Sequence, residues 1–570
     1  MCMSCGCGAE LSKVETIKES SRALRGTVAE ELKADGPAFD EANVHVLKFH
    51  GVYQQDDRDK RKEARKLGLD RHYQMMIRTR IPGGRVSPEG YLAHDEIADH
   101  WANGSIRVTT RQDFQLHGVL KGDLWASVHA INQALMTTLG GCGDQVRNVM
   151  CCPAPLVDPL RNELRERLPE LVSGLTPTTT AYHQIWIDGE VVDSSEPEPD
   201  PLYGTRYLPR KFKVALAIEG DNCVDVYSDD LGLVAMRGPE GGLDGFTVLV
   251  GGGLGRTHNK PETYPAVAQP LAFVATERLV ETARAVVAVQ RDFGDRSNRR
   301  HARLKYLIAE RGLPWFREQV QSRVGFDLAD PKPLRWVPLD DHLGWHEQGD
   351  GRLFYGLFVE NGRIQDDATA RLKTALHRLV EEHRPTLWMT PQQNLIVADI
   401  EPGRQLEIES LLRECGVALS LEVSRTIRHS MACPAIPTCG LAVAEAERAL
   451  PGLVRQLERV VSDLGLAEER ISFRMTGCPN GCARPYLGDV GFVGTTLGKY
   501  DVHLGGDFLG TRLNALFARN VPLAELPALL KGPLAAFSVE RSPGESFGDW
   551  CHRVGVDALR TRFAAEAATA

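Results

Sequence analysis

The chain has 570 residues, 42% of them hydrophobic and 25% charged, with a formal net charge of −9. This composition is typical of a globular protein, and the length suggests about three to four domains. The mild charge argues against a general nucleic-acid-binding protein. Because no apolar run approaches the roughly 18 residues that span a bilayer, we predict a cytoplasmic protein that makes no membrane contact.

In chain order, the residue patterns predict alternating strands and helices. They favour one helix within residues 10–40, a strand over 43–59 that becomes strongly charged, a strand over 72–86, a helix over 87–103, a strand over 105–118 and a helix over about 124–139. A Pro-Gly-Gly turn closes the strand over 72–86, and a glycine-rich stretch follows the last of these helices.

This order recurs later in the chain. Residues 75–86 (MMIRTRIPGGRV) match 353–364 (LFYGLFVENGRI) at an offset of 278. Residues 106–116 match 387–397, and residues 147–154 (RNVMCCPA) match 428–435 (RHSMACPA), both at an offset of 281. Three matches in nearly one register predict an internal duplication of a strand–helix–strand–helix unit, and therefore an α+β fold.

The two copies carry different chemistry. At four matched positions the second copy has Gly356, Trp388, Gln392 and Ile396 where the first has Arg78, Arg107, Arg111 and Gln115. Cys152 of the first copy takes the position of Cys433, but it lacks three partner cysteines, so we expect it to be buried near a cofactor without binding it. The seam between a cationic copy and a thiolate-rich copy is the expected place for a site.

Four cysteines of the second copy form the strongest motif. Cys433 and Cys439 are spaced C-x5-C, and after 38 residues Cys478 and Cys482 are spaced C-x3-C. Proline, asparagine and glycine in both loops favour tight turns that hold sulfur ligands in place. A 4Fe-4S cluster accepts such discontinuous spacing, whereas structural zinc sites prefer C-x2–4-C, and unrelated thiols are the remaining alternative.

Three other segments each allow a purely structural interpretation and a functional one. Lys211 and Lys213 lie two residues apart, which suits either one face of a strand or a solvated edge strand. Residues 246–256 form a strand and a G-x-G-x-G loop, a weak dinucleotide signal because no helix is predicted after it. The N-terminal cysteines, Cys2, Cys5 and Cys7, suit a metal or, more simply, a frayed tail.

The motifs taken together resemble the sulfite/nitrite reductase hemoprotein family. They are MACPAIPTC, TGCPNGCAR, HGVYQQDDRD, RTRIPGG, SIRVTTRQDFQLHG, RNVMCCP, YLPRKFK and LVGGGLG. The resemblance implies a pseudo-twofold α+β architecture with two ferredoxin-like half-units and two larger lobes. The implied segments are a tail and helix (1–40), half-unit 1 (41–145), a first siroheme-binding lobe (146–340), half-unit 2 (341–425) and a second lobe with the cluster (426–570).

The resemblance also implies cofactors and site residues. It implies one siroheme and one 4Fe-4S cluster held by Cys433, Cys439, Cys478 and Cys482, with Cys482 bridging the two. The implied substrate-binding and catalytic residues are Arg78, Arg147, Lys211 and Lys213. The implied cofactor-binding residues are Arg107, Thr109, Arg111, Gln115, His117, Asn480 and Cys482, because arginine forks suit the carboxylates of siroheme. For His117, a hydrogen-bonded structural role and a proton relay remain open.

The implied reaction is the six-electron reduction of sulfite to sulfide in sulfate assimilation. Because the chain has no flavin segment and no convincing nicotinamide segment, electrons are expected from another protein. An NADPH-dependent flavoprotein subunit is favoured over ferredoxin. Two alternatives stay open: a ferredoxin-dependent nitrite reductase with the same cofactors, and a non-catalytic zinc or Fe–S protein.

Overall fold

The computed structural model describes residues 10–178, 186–187, 190–191, 199–338 and 340–564, so Cys2, Cys5 and Cys7 lie outside the described residues. Its α-helices are α1 (Lys13–Ser20), α2 (Val28–Lys33), α3 (Glu41–Leu47), α4 (Arg61–Lys66), α5 (Pro88–Trp101), α6 (Leu124–Gln133), α7 (Pro159–Leu175), α8 (Leu279–Phe293), α9 (Leu304–Arg311), α10 (Leu313–Val324), α11 (Leu372–His383), α12 (Gln405–Glu414), α13 (Arg425–Arg428), α14 (Leu450–Asp463), α15 (Leu526–Glu540), α16 (Phe547–Val554) and α17 (Val556–Leu559).

The strands of the first half of the chain are β1 (Val52–Asp56), β2 (Tyr73–Arg78), β3 (Arg85–Val86), β4 (Ile106–Val108), β5 (Phe114–Val119), β6 (Val146–Cys151), β7 (Trp186–Ile187), β8 (Glu190–Val191), β9 (Phe212–Ile218), β10 (Leu231–Arg237), β11 (Leu243–Val250) and β12 (Gln269–Ala275). The second half has β13 (Gly344–Glu347), β14 (Leu353–Leu357), β15 (Arg363–Ile364), β16 (Thr386–Met389), β17 (Leu395–Ile400), β18 (Ser430–Ala432), β19 (Phe473–Thr476), β20 (Val490–Thr496), β21 (Lys499–Leu504) and β22 (Ala515–Pro522).

The larger sheets occur as two matched pairs, which confirms the predicted duplication. The half-unit sheets have the orders β1-β2-β5-β4-β15 and β13-β14-β17-β16-β3, and every pairing in them is antiparallel. The lobe sheets have the orders β12-β11-β10-β9-β6 and β22-β21-β20-β19-β18. In each lobe the three strands that come first along the chain pair parallel and the other two antiparallel.

The two half-units exchange their edge strands. β15 of the second copy pairs with β4 of the first, with Arg363 opposite Arg107. In return, β3 of the first copy pairs with β16 of the second, with Trp388 opposite Arg85. One hydrophobic core accordingly contains residues of both half-units, while each lobe sheet has a core of its own. This exchange was not predicted, because two-residue strands leave no readable pattern in a sequence.

The hairpin turn of each half-unit repeats the same hydrogen bonds. Thr109 N–H donates to the carbonyl of Asp113 at 3.0 Å, and Thr390 N–H donates to that of Asn394 at 2.9 Å. The side-chain oxygens of Asp113 and Asn394 accept from backbone N–H groups at matched positions. Left-handed backbone occurs at the same place in both turns, at Gln112 and Gln393. The duplication therefore extends to individual turn residues.

Several local predictions need correction. The single helix expected within residues 10–40 is two helices, α1 and α2, because Arg22, Ala23 and Leu24 have positive φ values between them. The first part of the strand expected over 43–59 is α3, where the Asp40 side chain accepts from Asn43 N–H at 2.6 Å and caps the helix. The strand expected over 105–118 is the hairpin β4–β5.

Other local predictions match the structure. The helix expected over 87–103 is α5, with Ser87 as its N-cap and Pro88 as its first residue. Within the described residues, no helix combines the length and apolarity that crossing a membrane requires. The predicted segment boundaries stay predictions.

Candidate functional site

The four cysteines lie in loops after two adjacent parallel strands. Cys433 follows the last residue of β18 directly, and Cys478 lies two residues after β19. Because β18 and β19 run parallel, their carboxyl ends bring both loops to one edge of the sheet. Cys433 and Cys478 are buried, Cys439 is half-buried and Cys482 is exposed.

The thiols lie near enough to affect one another. Burial raises the pKa of Cys433 well above its usual range, and Cys482 and Cys478 raise it further. Burial likewise raises the pKa of Cys478 to about 12, with additional contributions from Cys482 and Cys439. Burial also raises the pKa of Cys439. Adjoining buried thiols of this kind are well suited to a group that supplies positive charge.

The spread of the sulfur atoms favours a cluster over a single zinc ion. Zn–S bonds of about 2.3 Å place the sulfurs of a four-cysteine zinc site roughly 4 Å apart. Among the described residues, the groups of three or more potential ligands with all ligand atoms within 4.8 Å of one another do not include these cysteines. A larger inorganic centre fits this wider arrangement.

Residues from the first half of the chain hold both cysteine loops in place. Arg58 Nη1 donates to the carbonyl of Cys439 at 3.1 Å and to that of Ala442. Thr110 Oγ1 donates to the carbonyl of Cys482 at 3.0 Å. Arg256, from the G-x-G-x-G loop, donates its backbone N–H to Pro479 at 2.9 Å. The glycine-rich loop therefore supports the second cysteine motif, and within the described residues 251–275 no α-helix follows it, so the dinucleotide interpretation fails.

Arg78 and Arg147 lie together beside Tyr53 and Cys142. Arg78 Nη1 lies 2.6 Å from the Sγ of Cys142, and the guanidinium lies 6.0 Å from the centroid of the Tyr53 ring. Arg147 Nη2 donates to the hydroxyl of Tyr53 at 3.4 Å, while its Nε is buried without a hydrogen-bond partner among the described residues. Burial raises the pKa of Tyr53 to about 12, so its hydroxyl stays protonated near neutral pH.

Lys211 and Lys213 extend this positive cluster toward the cysteines. Burial lowers the pKa of Lys211 well below its usual value, and Arg147, Arg210 and Arg303 lower it further, while Cys482 opposes the shift. Burial also lowers the pKa of Lys213 to about 8. Both side chains nevertheless remain partly accessible. The electrostatic influence of Cys482 on Lys211 indicates that the cations of the first copy approach the thiol of the second.

Arg107 is tied to the first cysteine loop by protein contacts. Its Nε donates to Glu447 at 3.0 Å, and its Nη2 donates to the carbonyls of Asn361 and Ala432 at 3.0 and 2.8 Å. Arg363 pairs with the same carboxylate at 2.7 Å. Glu447 in turn donates its backbone N–H to the carbonyl of Cys433 at 3.1 Å. Arg107 thus helps to position a cysteine, and its predicted contact with a cofactor stays a prediction.

Arg111 and Thr109 also make protein contacts. Arg111 donates to Asp229 at 2.9 Å and to the carbonyls of Asn148 and Val214 at 2.6 and 3.1 Å. Thr109 Oγ1 accepts from two N–H groups of its own turn. Gln115 is buried on β5 opposite Arg78 and Arg107. A cofactor carboxylate at Arg111 would compete for its N–H groups with Asp229 and two backbone carbonyls. The predicted cofactor contacts of Arg111, Thr109 and Gln115 stay predictions.

His117 is buried beside Arg107 and Arg363, and Asn480 lies in the second cysteine loop. His117 is 1% exposed, and neither of its ring nitrogens has a hydrogen-bond partner within the described residues. Burial, followed by Arg363 and Arg107, lowers the pKa of His117 well below its usual range. Its neutral ring is therefore poorly suited to donate protons as an imidazolium. Asn480 lies close enough to the thiol of Cys478 to oppose the rise of its pKa, which suits the predicted role of Asn480 in shaping the turn.

The structure adds residues that the sequence did not single out. Tyr53, Cys142, Arg210, Arg303, Lys305 and Glu447 all contribute to the environment of the cations or cysteines. Tyr53 and Arg210 lie within the motifs HGVYQQDDRD and YLPRKFK, whereas Cys142, Arg303, Lys305 and Glu447 lie outside the motifs already named. Cys152 is buried, as expected, and Asp221, Cys223 and His342, which the sequence did not connect with it, surround its sulfur.

The chain is similar to known proteins in both sequence and structure. A model described as the nitrite/sulfite reductase ferredoxin-like half domain matches residues 69–134 and 346–415. A model described as the nitrite and sulphite reductase 4Fe-4S domain matches residues 173–328, in the first lobe. The two half-domain matches confirm the predicted pair of ferredoxin-like half-units.

Named relatives cover nearly the whole chain. It is 44% identical to a sulfite reductase (ferredoxin) from Synechococcus elongatus, over 97% of this chain and 90% of the relative. It is also 44% identical to a sulfite reductase (NADPH) hemoprotein beta-component from Staphylococcus saprophyticus, over 96% of each chain. The solved structure of the Mycobacterium tuberculosis NirA protein matches with a TM-score of 0.78 and 26% identity, over 96% of this chain and 97% of the other.

The residues of this site fit the cofactors of that family, which are siroheme and a 4Fe-4S cluster. Siroheme is rich in carboxylates, and burying them requires cations and donors close by. Arg147 Nε and both ring nitrogens of His117 are buried polar atoms that lack partners among the described residues. The wide cysteine set suits the cluster, as argued above. From its sequence, its two ferredoxin-like half-units and its similarity to sulfite reductases along nearly its whole length, the chain belongs to the nitrite and sulfite reductase family.

Proposed function

We propose that this protein is a sulfite reductase that reduces sulfite to sulfide with six electrons, using siroheme and a 4Fe-4S cluster. The observation that carries the proposal is that cations of the first copy and a cysteine of the second copy both act on Lys211. This lysine lies in the field of Arg147, Arg210 and Arg303, and it also interacts with Cys482. A small dianion placed there meets several cations next to the thiol that we assign to both cofactors.

Arginines and lysines have different tasks in this proposal. Arg78 and Arg147 are held by Cys142 and Tyr53, so their orientations are fixed before the substrate arrives. Fixed guanidinium forks bind oxyanions with defined geometry. Converging positive charge also stabilises negative charge that develops on oxygen as each S–O bond breaks.

The lysines suit proton delivery. Each of the three sulfite oxygens leaves as water, so every S–O cleavage consumes protons as well as electrons. Lys213 has a pKa of about 8 because burial disfavours its charged form. An ammonium group with such a pKa donates its proton more readily than an ordinary lysine and regains it near neutral pH. We assign proton donation to the Nζ atoms of Lys211 and Lys213.

The cofactors, when bound, supply the electrons and the iron atom to which sulfur binds. Cys433, Cys439, Cys478 and Cys482 are the side chains that we assign to the cluster, and Cys482 to the bridge. The exposure of Cys482, in contrast to its buried or half-buried partners, supports this assignment. Arg58 holds the first cysteine loop from the other copy, and Glu447 holds it from within the same copy.

We further propose that electrons come from a separate protein. Relatives named for NADPH and for ferredoxin match this chain equally well, at 44% identity. An NADPH-dependent flavoprotein subunit remains our favoured donor, as predicted from the sequence, and the cytoplasmic location also stays a prediction. Turnover with purified ferredoxin alone, at the rate obtained with a chemical reductant, would assign the other donor.

The test of the proposed function is substrate preference. The cofactor-loaded enzyme is supplied with reduced methyl viologen, and kcat/KM is measured for sulfite and for nitrite. We expect a higher value for sulfite, because two lysines adjoin the anion position. A markedly higher value for nitrite would assign the protein as a nitrite reductase, and absence of turnover with both anions would favour a non-catalytic Fe–S protein.

A further inference from the structure

Four potential metal ligands converge away from the four-cysteine motif. They come from distant parts of the chain and are Cys152, Asp221, Cys223 and His342. One ligand atom of each side chain lies within 4.8 Å of the corresponding atoms of the other three. The two cysteines and the aspartate are buried, and the histidine side chain is 10% exposed. Cysteine, histidine and carboxylate are the ligand types that zinc takes in proteins.

The group occupies the counterpart of the cysteine site in the duplicated fold. Cys152 follows β6 directly, as Cys433 follows β18. Asp221 and Cys223 lie in the loop after β9, and β9 has the sheet position that β19 has in the other lobe. The same edge of the same five-stranded sheet therefore presents ligands in both lobes. The first lobe supplies three of these ligands, Cys152, Asp221 and Cys223, and their ligand atoms lie closer together than the sulfurs of the four-cysteine motif.

We propose that Cys152, Asp221, Cys223 and His342 bind one zinc ion, which fastens the first lobe to the second half-unit. His342 precedes β13 of that half-unit, whereas the other three residues follow strands of the first lobe. The compact spacing suits a single ion rather than a cluster. Tetrahedral zinc with bonds of about 2.0 to 2.3 Å separates its ligand atoms by roughly 3.3 to 3.8 Å, so only a small contraction is required.

The present contacts leave ligand capacity unused. Cys152 Sγ donates to Asp221 Oδ2 at 3.0 Å, and Asp221 Oδ1 accepts the backbone N–H of Cys223 at 3.0 Å. His342 Nε2 lies 3.7 Å from Asp221 Oδ2, too far for a hydrogen bond, and it is buried without a hydrogen-bond partner in the part of the chain that the structure describes. An imidazole nitrogen buried in this way, and facing two thiols and a carboxylate, is placed to coordinate a metal ion.

Backbone and charge around the group support the same conclusion. Asp341 and His342 both adopt positive φ, at 55° and 56°, a costly conformation for two successive residues with side chains. Two thiolates and one carboxylate around Zn²⁺ leave one net negative charge. Arg161 Nη2 lies 3.6 Å from Asp221 Oδ2 and is placed to neutralise it.

The test uses the purified holoenzyme and zinc itself as the probe. Elemental analysis of protein produced with ample zinc is expected to give one zinc per chain besides the cofactor iron. X-ray absorption at the zinc edge is expected to show two sulfur ligands at about 2.3 Å. Absence of zinc, both as purified and after incubation with ZnCl2, would overturn the proposal. So would a zinc spectrum without sulfur, or a mass two hydrogens lower from a Cys152–Cys223 disulfide.

Variants give a second, independent readout. Cys223→Ser and His342→Gln each remove one ligand from a different segment, and zinc occupancy is expected to fall tenfold or more in both. Cys415→Ser is the matched control, because Cys415 is equally buried but lies outside the group. Full zinc occupancy in both ligand variants would contradict the assignment. If neither variant folds, the absorption spectrum of the unmodified holoenzyme decides.

Discussion

Glu447→Gln is expected to destabilise the region between half-unit 1 and the first cysteine loop. The substitution keeps the size of the side chain and removes the charge that faces Arg107 and Arg363. Both arginines are largely buried, with side chains 3% and 13% exposed, and the Glu447 side chain is 15% exposed. Removing one member of a buried ion network leaves the others without compensation.

The magnitude follows from the pKa of Glu447. Burial alone raises this pKa, but Arg363 and Arg107 outweigh burial and bring it to about 2, from an ordinary value of 4.5. That difference corresponds to about 3 kcal/mol of folding free energy at pH 7. Because the folded pKa is depressed, the contribution is present above about pH 4.5 and is lost as the pH falls toward about 2.

Urea unfolding of the holoenzyme at pH 7 measures the loss, with siroheme absorbance and circular dichroism as probes. We expect about 3 kcal/mol less stability for Glu447→Gln, and a difference roughly 1 kcal/mol smaller at pH 4. Glu445→Gln is the control, because Glu445 pairs with the half-exposed Arg448 and is expected to cost less than about 1 kcal/mol. Equal unfolding midpoints for both variants and the wild type would refute this reasoning.

Three further predictions concern the site. Cys482→Ser is expected to abolish sulfite turnover and the magnetic coupling between siroheme and cluster seen by Mössbauer spectroscopy; normal coupling would show that another thiol forms the bridge. Since Lys213 loses its proton as the pH rises through about 8, kcat/KM for sulfite is expected to fall in that pH range. Lys213→Arg is expected to move this fall to higher pH, and a fall at an unchanged pH would assign the titration to another group. Arg58→Ala removes hydrogen bonds to the carbonyls of Cys439 and Ala442, so cluster iron is expected to be lost faster to a chelator; an unchanged rate would mean that the loop holds its shape alone.

The sequence predicts the repeated parts of this molecule well. Matches at nearly one offset identified the duplication, and the same residues, Thr109 and Thr390 among them, make equivalent hydrogen bonds in both half-units. Cysteine spacing indicated a cluster because each pair, C-x5-C and C-x3-C, lies within one short loop. Such features depend on neighbours along the chain, which a sequence displays directly.

Side-chain direction and long-range partners were not predictable in the same way. Arg107 and Arg111 donate to Glu447 and Asp229, which lie 340 and 118 residues away in sequence, so the sequence does not display these partners. The predicted contacts of both arginines with a cofactor stay predictions. The partners of Cys152 were missed for the same reason. The exchange of β3 and β15 depends on how two complete half-units dock, and no local pattern records it.

The central claim is that cations of the first copy and cysteines of the second form one sulfite-reducing site. The most direct test is kcat/KM for sulfite in Lys211→Ala and Lys213→Ala, measured with reduced methyl viologen after siroheme and iron contents are shown to equal those of the wild type. We expect a fall of about a hundredfold or more for sulfite and a smaller fall for nitrite. Full sulfite turnover in both variants, with both cofactors retained, would contradict the account.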